Sequence, residues 1–321
     1  GATSSTSKVV IVSPSSVPNH DVDYLYGQVP INDTFIDWSS NCGNLSSAVG
    51  PFAISNGMID PQRVPLNGIC AVRIWQANIG KTIIAHVKIT DGEVQETGDF
   101  ELDGVTFPSA EVQLEFIDPA DESEGEGGSA MFPTGNLVDD LDVPGVGLFK
   151  ATMINAGVPV VFLEAAALGD DGTELQGALN EDKLALAKLE AIRAYGAVRM
   201  GLLDDASLAA KQPLKPKLVL VAQPKDYVSS SGKPVHASDI DLLARAMSIG
   251  KLHHAMMGTA SVAIAAAVAV PGTLVNTVAG GGQRKVVRFG HPSGLMRVGA
   301  DVIQVDGKWA VTKAVMSRSA R

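Results

Sequence analysis

Two short segments do most to constrain what this chain can fold into. Asn41-Cys42-Gly43-Asn44 and Met257-Gly258-Thr259-Ala260 are small-residue turns, and each runs straight into an apolar stretch of helical spacing. Short Val/Ile-rich runs follow both. A turn–helix–strand pattern met twice signals internal duplication. The chain's 321 residues leave room for two ordinary domains, each with its own core. The expected division is 1–142 and 143–321.

Many of the 33 glycines fall between β-branched runs, as in a strand-rich fold with tight turns. Residues 8–12 read as a buried strand and 23–29 as a second. A helix is predicted over 41–56, with Leu45, Ala48, Val49, Phe52 and Ala53 at helical spacing, a kink at Pro51 and Gly57 as cap. Strands follow at 71–75, 82–87 and 112–116, the last in strict alternation. In the second half, strands flank Asn155-Ala156-Gly157 and an amphipathic helix spans 181–203. A strand covers 218–222. Ser238-Asp239-Ile240-Asp241 reads as a capping box opening a helix to 248. An Ala-rich helix runs from 258 to 270, and short strands at 286–289, 295–298, 302–305 and 309–315 complete the pattern. The acidic, Gly-rich run 121–128 reads as a solvated loop.

Charge and composition exclude several functions. Net charge is −10, aromatics are 5%, and no basic stripe interleaves with them, so nucleic acid is not an expected partner. Any anion site must be built from local positive features. The apolar segment 255–275 is Ala/Gly/Thr-rich and broken by Pro271-Gly272, which suits a buried helix rather than a membrane span. The opening GATSSTSKVV lacks the basic-then-apolar order of a signal peptide. Two cysteines, Cys42 and Cys70, are no disulfide scaffold, and no Cys/His cluster has zinc spacing. A reducing, cytoplasmic setting follows. No GxGxxG or P-loop occurs, so no nucleotide cofactor, flavin or metal is expected.

Several residues carry chemistry. A cysteine in a first helical turn lies where unpaired N–H groups favour thiolate, and Gly43 lets a carboxylate approach those groups. Asn44 offers an amide. The same residues also suit a structural cysteine beside a helix cap. Gly258 and Thr259 repeat the geometry, with Met257 where the first half has Cys42. His253 and His254 beside them are acid/base candidates or plain surface residues. Ser7 and Lys8 end a hydroxyl-rich run, and Lys8 is a candidate general base or an exposed strand-end lysine. Gly290-His291-Pro292-Ser293-Gly294 is a hairpin turn whose amides and Ser293 could form an anion nest. Arg318 could bind a carboxylate or belong to a solvated tail. Phe132-Pro133-Thr134-Gly135-Asn136 has no evident role.

Together GATSSTSK, DWSSNCGNLSSAVG, MFPTGN, KLHHAMMGTASVAI, VPGTLVN, RFGHPSG and MSRSAR resemble the PrpF family of 2-methylaconitate cis-trans isomerases, in the diaminopimelate-epimerase-like superfamily. The resemblance spans the whole chain. It implies an α+β fold of two similar domains, each a sheet wrapped around a central helix, with the active site in the cleft between them. Superfamily racemases place a cysteine at each helix start. Met257 cannot transfer protons, so two-thiol inversion is disfavoured and the resemblance assigns Lys8 as base, with Cys42 as a second acid/base group or a wall of the pocket. Ser7, Asn41, Gly43, Asn44, Met257, Gly258, Thr259, Ser293, Gly294 and Arg318 would bind substrate. The implied substrate is a small unsaturated tricarboxylate of the methylcitrate route for propionate, or alternatively 4-oxalomesaconate. A non-catalytic role beside an iron–sulfur methylcitrate dehydratase is the rival of another class, and a homodimer is compatible with the resemblance. Family members also continue beyond both ends of this chain, including an RGGTSKG motif.

Overall fold

The computed structural model describes residues 7–29, 34–38, 41–120 and 130–320. The loop expected at 121–128 lies outside them. The chain divides into two compact units, Gly1–Asp118 with Val315–Arg321, and Pro119–Ala314. The boundary therefore falls at 118/119 rather than 142/143. A cut at 142/143 would split the hairpin in which Asp139 pairs with Ala151 and Val143 with Gly147. It would also separate Pro119 O and Met131 O from the amides of Gly157 and Asn155 that bond them.

Unit 1 holds strands β1 (Lys8–Pro14), β2 (Val22–Gln28), β3 (Gly68–Gln76), β4 (Lys81–Thr90), β5 (Glu93–Val94) and β6 (Glu111–Ile117), and helix α1 (Ser46–Ser55). The strand order is β1-β2-β3-β4-β6, with β5 beside β4. Only the β2–β3 pair is parallel among these. Alternation does what the sequence pattern requires: Cys70, Val72 and Ile74, then Ile83, Ala85 and Val87, then Val112, Leu114 and Phe116 all face the core. Against this face lies α1. Gly50 permits the approach, because a Cβ there would stand 2.9 Å from Ala85 Cβ and Val87 Cγ2. β1 is half-exposed rather than buried, since among the described residues it pairs with β2 alone.

The helix expected from 41 begins at Ser46. Residues 43–45 form a turn, and Leu45 caps the helix without a side-chain bond. Ser46 Oγ donates to Cys42 O at 3.1 Å and Ser47 Oγ to Asn44 O at 2.9 Å, so two hydroxyls stabilise the turn in place of a helical first turn. Gly57 adopts φ +65 and ends the helix as predicted.

Unit 2 contains β7 (Asp139–Val143), β8 (Gly147–Ala156), β9 (Val158–Glu164), α2 (Gln176–Glu181), α3 (Lys183–Arg199), β10 (Lys217–Ala222), β11 (Tyr227–Val228), β12 (Pro234–Val235), β13 (Leu242–Ser248), β14 (Lys251–Leu252), α4 (Gly258–Ala269), α5 (Leu274–Val278), β15 (Val286–His291) and β16 (Gly294–Val305). The final strand, β17 (Lys308–Ser319), begins in unit 2 and ends in unit 1. Within unit 2 the order is β16-β15-β13-β10-β9-β8-β7. All twelve residues of α4 are buried, which explains a helix apolar all round. Among the described residues no helix is long and apolar enough to cross a membrane. On the other sheet face, α3 covers Leu218 and Leu220 with Leu189 and Ile192.

One element is corrected. The helix predicted to run to 248 is a 3-10 turn at Ala237–Asp239 followed by strand β13. Leu242–Met247 are helix formers, but β10 pairs antiparallel on one side and β15 parallel on the other, and every residue of that run is buried. Burial between two strands overrides local propensity.

Candidate active site

Unit 1 brings Ser7, Lys8, Asn41, Cys42, Gly43, Asn44 and Arg318 into one unit. Lys8 is the first residue of β1, and Cys42 lies four residues before α1. Lys8 Nζ donates to Cys42 Sγ at 3.7 Å. Both side chains are partly exposed, so the pair is open to a ligand. The backbone carbonyl of Cys42 accepts from Tyr24 Oη at 3.0 Å as well as from Ser46. Tyr24 is fully buried, and burial first, then the negative charge of Cys42, pushes its ionisation far upward. It therefore serves as a permanent donor.

Arg318 is not part of a solvated tail. It sits in β17 at 4% exposure, and its Nε donates to Asn44 Oδ1 at 3.1 Å. Ser47 Oγ also reaches Ser319 O at 3.3 Å, and Ser317 bonds Glu111. These contacts are why the chain end belongs to unit 1. Burial pulls the Arg318 guanidinium down to about 10, and the negative charge of Cys42 opposes the shift. A buried cation thus stands within electrostatic reach of the sulfur. Ser7 is buried, and its carbonyl accepts from Gln28 Nε2 and Val29 N, both at 2.9 Å.

Unit 2 holds Met257, Gly258, Thr259, Ser293 and Gly294. Met257 is the N-cap of α4, and no side chain caps the start. The amides of Gly258 and Thr259 are those a helix start leaves without intrahelical acceptors. They form an anion-receptive end. Met257 O accepts from Ser261 N at 2.9 Å and Ser261 Oγ at 3.0 Å. Ser293 behaves otherwise. Its hydroxyl donates to His254 O and its amide to His291 Nδ1, so both of its donors are used to brace the hairpin turn. Tyr227 Oη lies 2.7 Å from His291 O and 2.6 Å from Gly294 O, which ties down the same turn. The geometry favours bracing over an anion nest there. His253 and His254 lie ahead of α4, with rings stacked at 4.7 Å.

Sequence reasoning missed Tyr24, Tyr26 and Gln28 as site residues. They recur at every second position of β2, so one strand face carries two hydroxyls and an amide. Polar groups on the core face of a strand were the available signal. MFPTGN also gains a role: Thr134 and Asn136 donate to Asp139, which Arg199 joins at 2.8 Å.

The sequence profile of one family, described as PrpF protein, matches residues 1–321. The chain belongs to the PrpF family. A relative from Shewanella oneidensis, named 2-methyl-aconitate isomerase, is 68% identical over 100% of this chain and 81% of its own length. A solved structure titled methylitaconate-delta-isomerase is 35% identical, with TM-score 0.82 over 100% of this chain and 81% of that one. A probable proline racemase from Agrobacterium radiobacter K84 is 12% identical, with TM-score 0.52 over 97% and 73%. It shares the fold alone. The expected racemase-like α+β architecture is thus the fold of this PrpF protein.

Proposed function

We propose that this chain is a cofactor-independent isomerase that converts the cis and trans forms of 2-methylaconitate. The observation that carries the mechanism is the contact between Lys8 Nζ and Cys42 Sγ. The substrate rests on the relative named 2-methyl-aconitate isomerase, 68% identical along the whole chain.

Lys8, in its free-amine form, takes a proton from a carbon alpha or gamma to a substrate carboxylate. The electron pair delocalises into that carboxylate and the adjacent double bond. Rotation about the weakened bond follows, and return of the proton restores the neutral carbon. Cys42 touches the base and can relay the proton. Arg318 and the Gly43–Asn44 backbone offset the developing charge in unit 1, and the Gly258 and Thr259 amides are the anion-receptive group of unit 2. Met257 has no ionisable side-chain proton to transfer, which is consistent with one base rather than two thiols. The reading includes a cytoplasmic location and a place in the methylcitrate route of propionate breakdown, alongside an iron–sulfur methylcitrate dehydratase.

The test is turnover of the intact protein and its Lys8→Ala variant on 2-methylaconitate, 3-methylitaconate and 4-oxalomesaconate, with deuterium uptake from solvent. Preferred turnover of 2-methylaconitate, lost with Lys8, is expected. Near-normal turnover without Lys8 removes it as the base, and preference for another acid removes the substrate.

A further inference from the structure

We propose that Gln28 and Tyr26 are positioning residues that aim the Lys8 amine at Cys42 without touching substrate. This rests on the reading of Lys8 as base and adds how the base is held. Lys8 opens β1, the outermost strand of its sheet path among the described residues, and the end of such a strand is where a chain frays most readily. A base there needs an anchor to keep its geometry.

Gln28 supplies one. It is the cross-strand partner of Lys8, yet its side chain turns to the preceding residue: Nε2 donates to Ser7 O at 2.9 Å. Val29 N donates to the same oxygen at 2.9 Å, so two donors clamp the carbonyl that leads into Lys8. The other end of the Gln28 amide is also held, because Tyr26 Oη donates to Oε1 at 2.5 Å. An amide with a donor at one end and an acceptor at the other cannot flip without losing both bonds. Tyr26 is itself fixed. Its N–H donates to Asn78 Oδ1 at 2.8 Å, and its carbonyl accepts from Asn78 Nδ2 at 2.8 Å. Gln76 Nε2 donates to Asn78 Oδ1 at 2.8 Å. Burial first, then the charges of Cys42 and Asp37, push the Tyr26 ionisation upward, so the phenol stays a donor at working pH. The path from the β3 end to the base thus runs Gln76, Asn78, Tyr26, Gln28, Ser7, Lys8.

The experiment compares Gln28→Leu, Gln28→Glu and Tyr26→Phe in the intact protein. It reads kcat and KM on 2-methylaconitate, thermal melting, and the ultraviolet thiolate titration of Cys42. Gln28→Leu is expected to lower kcat about tenfold or more with KM little changed, and to move the thiolate titration. Gln28→Glu recovers part of that loss at low pH, where a protonated carboxyl can donate to Ser7 O. Tyr26→Phe loses about threefold, since Gln28 keeps its bond to Ser7. Wild-type kcat and titration in a folded Gln28→Leu protein would overturn the proposal. Should that variant not fold, an unchanged Tyr26→Phe does the same. The thiolate titration reads the Lys8–Cys42 pair whether or not Lys8 is the base, so the two readings fail separately.

Discussion

The side-chain amine of Lys8 donates to the sulfur of Cys42 across 3.7 Å. Among the described residues no carboxylate forms an ion pair with that amine, and the sulfur it bonds is a group that can itself hold or release a proton. Cys42→Ser keeps an atom able to accept from Lys8, and Cys42→Ala removes it. The alanine variant is expected to lose about ten- to a hundredfold in kcat, the serine variant less, and Lys8→Ala about a thousandfold. Proton NMR of isomer formation in heavy water measures all three. Loss in Cys42→Ala equal to that in Lys8→Ala would move the base role to the thiol.

Arg318 separates stability from function. Its buried guanidinium is a cation in folded and unfolded chains at neutral pH, yet burial has pulled it down to about 10. Folding therefore works against that charge at every pH below about 10. Arg318→Met is expected to leave the melting temperature unchanged or higher. KM should rise about tenfold or more, because Asn44 loses the donor that orients its amide and an anionic ligand loses a cation. A fall in melting temperature with KM unchanged would show the side chain to be purely structural.

Lys217 gives a pH dependence of defined sign. It is fully enclosed, bonds Ser248 Oγ at 3.2 Å, and is brought down to about 8 by burial first and then by the charge of Arg193. Above the ordinary lysine range both states are neutral there. Between about 8 and that range the unfolded chain holds a proton that the folded one lacks, so stability rises with pH. Below about 8 the full penalty of a buried charge is present. Lys217→Met should be more stable than the parent at pH 7, by up to about 3 kcal/mol, and the difference should shrink towards about pH 10. Urea unfolding at both pH values measures it. A difference independent of pH would contradict the assignment.

Gly157 tests the seat of α4. It adopts φ +74, and a Cβ there would lie 3.0 Å from Val262 Cβ and 3.1 Å from Thr259 O. Gly135 has a similar φ, +77, with nothing within 4 Å. Gly135→Ala therefore carries backbone strain alone, about 1 kcal/mol, whereas Gly157→Ala adds crowding of the first helical turn and should be worse by a further 1–2 kcal/mol or so. Thermal unfolding of the two variants compares them directly. Equal losses would mean that the helix start yields without resistance.

Much of the fold was readable because burial writes a period into a strand. Val112-Gln113-Leu114-Glu115-Phe116 alternates because one face meets the core and the other does not. The same logic fails at Leu242–Ser248, where burial on both faces erases the alternation and leaves residues that also suit a helix. α1 starts late because Ser46 and Ser47 bond back to Cys42 and Asn44, and spacing alone carries no record of such bonds. In the site, Lys8, Cys42 and Asn44 stand in distinctive motifs. Arg318 was a carboxylate-binding candidate in a run that suits a solvated tail equally well, and only the fold shows that it is buried. Tyr24, Tyr26 and Gln28 were visible as a strand, but their work depends on atoms far away in sequence.

The division of the chain also bears on how it is made. Unit 1 is written in two stretches, and the second, Val315–Arg321, comes only after all of unit 2. A ribosome emits Arg318 after Lys8, after Cys42 and after the whole of unit 2. The half that carries the proposed base must therefore wait, incomplete, while the other half can finish and settle first. Loss of Val315–Arg321 would strike the unit written first in this chain and spare the one written between its two stretches.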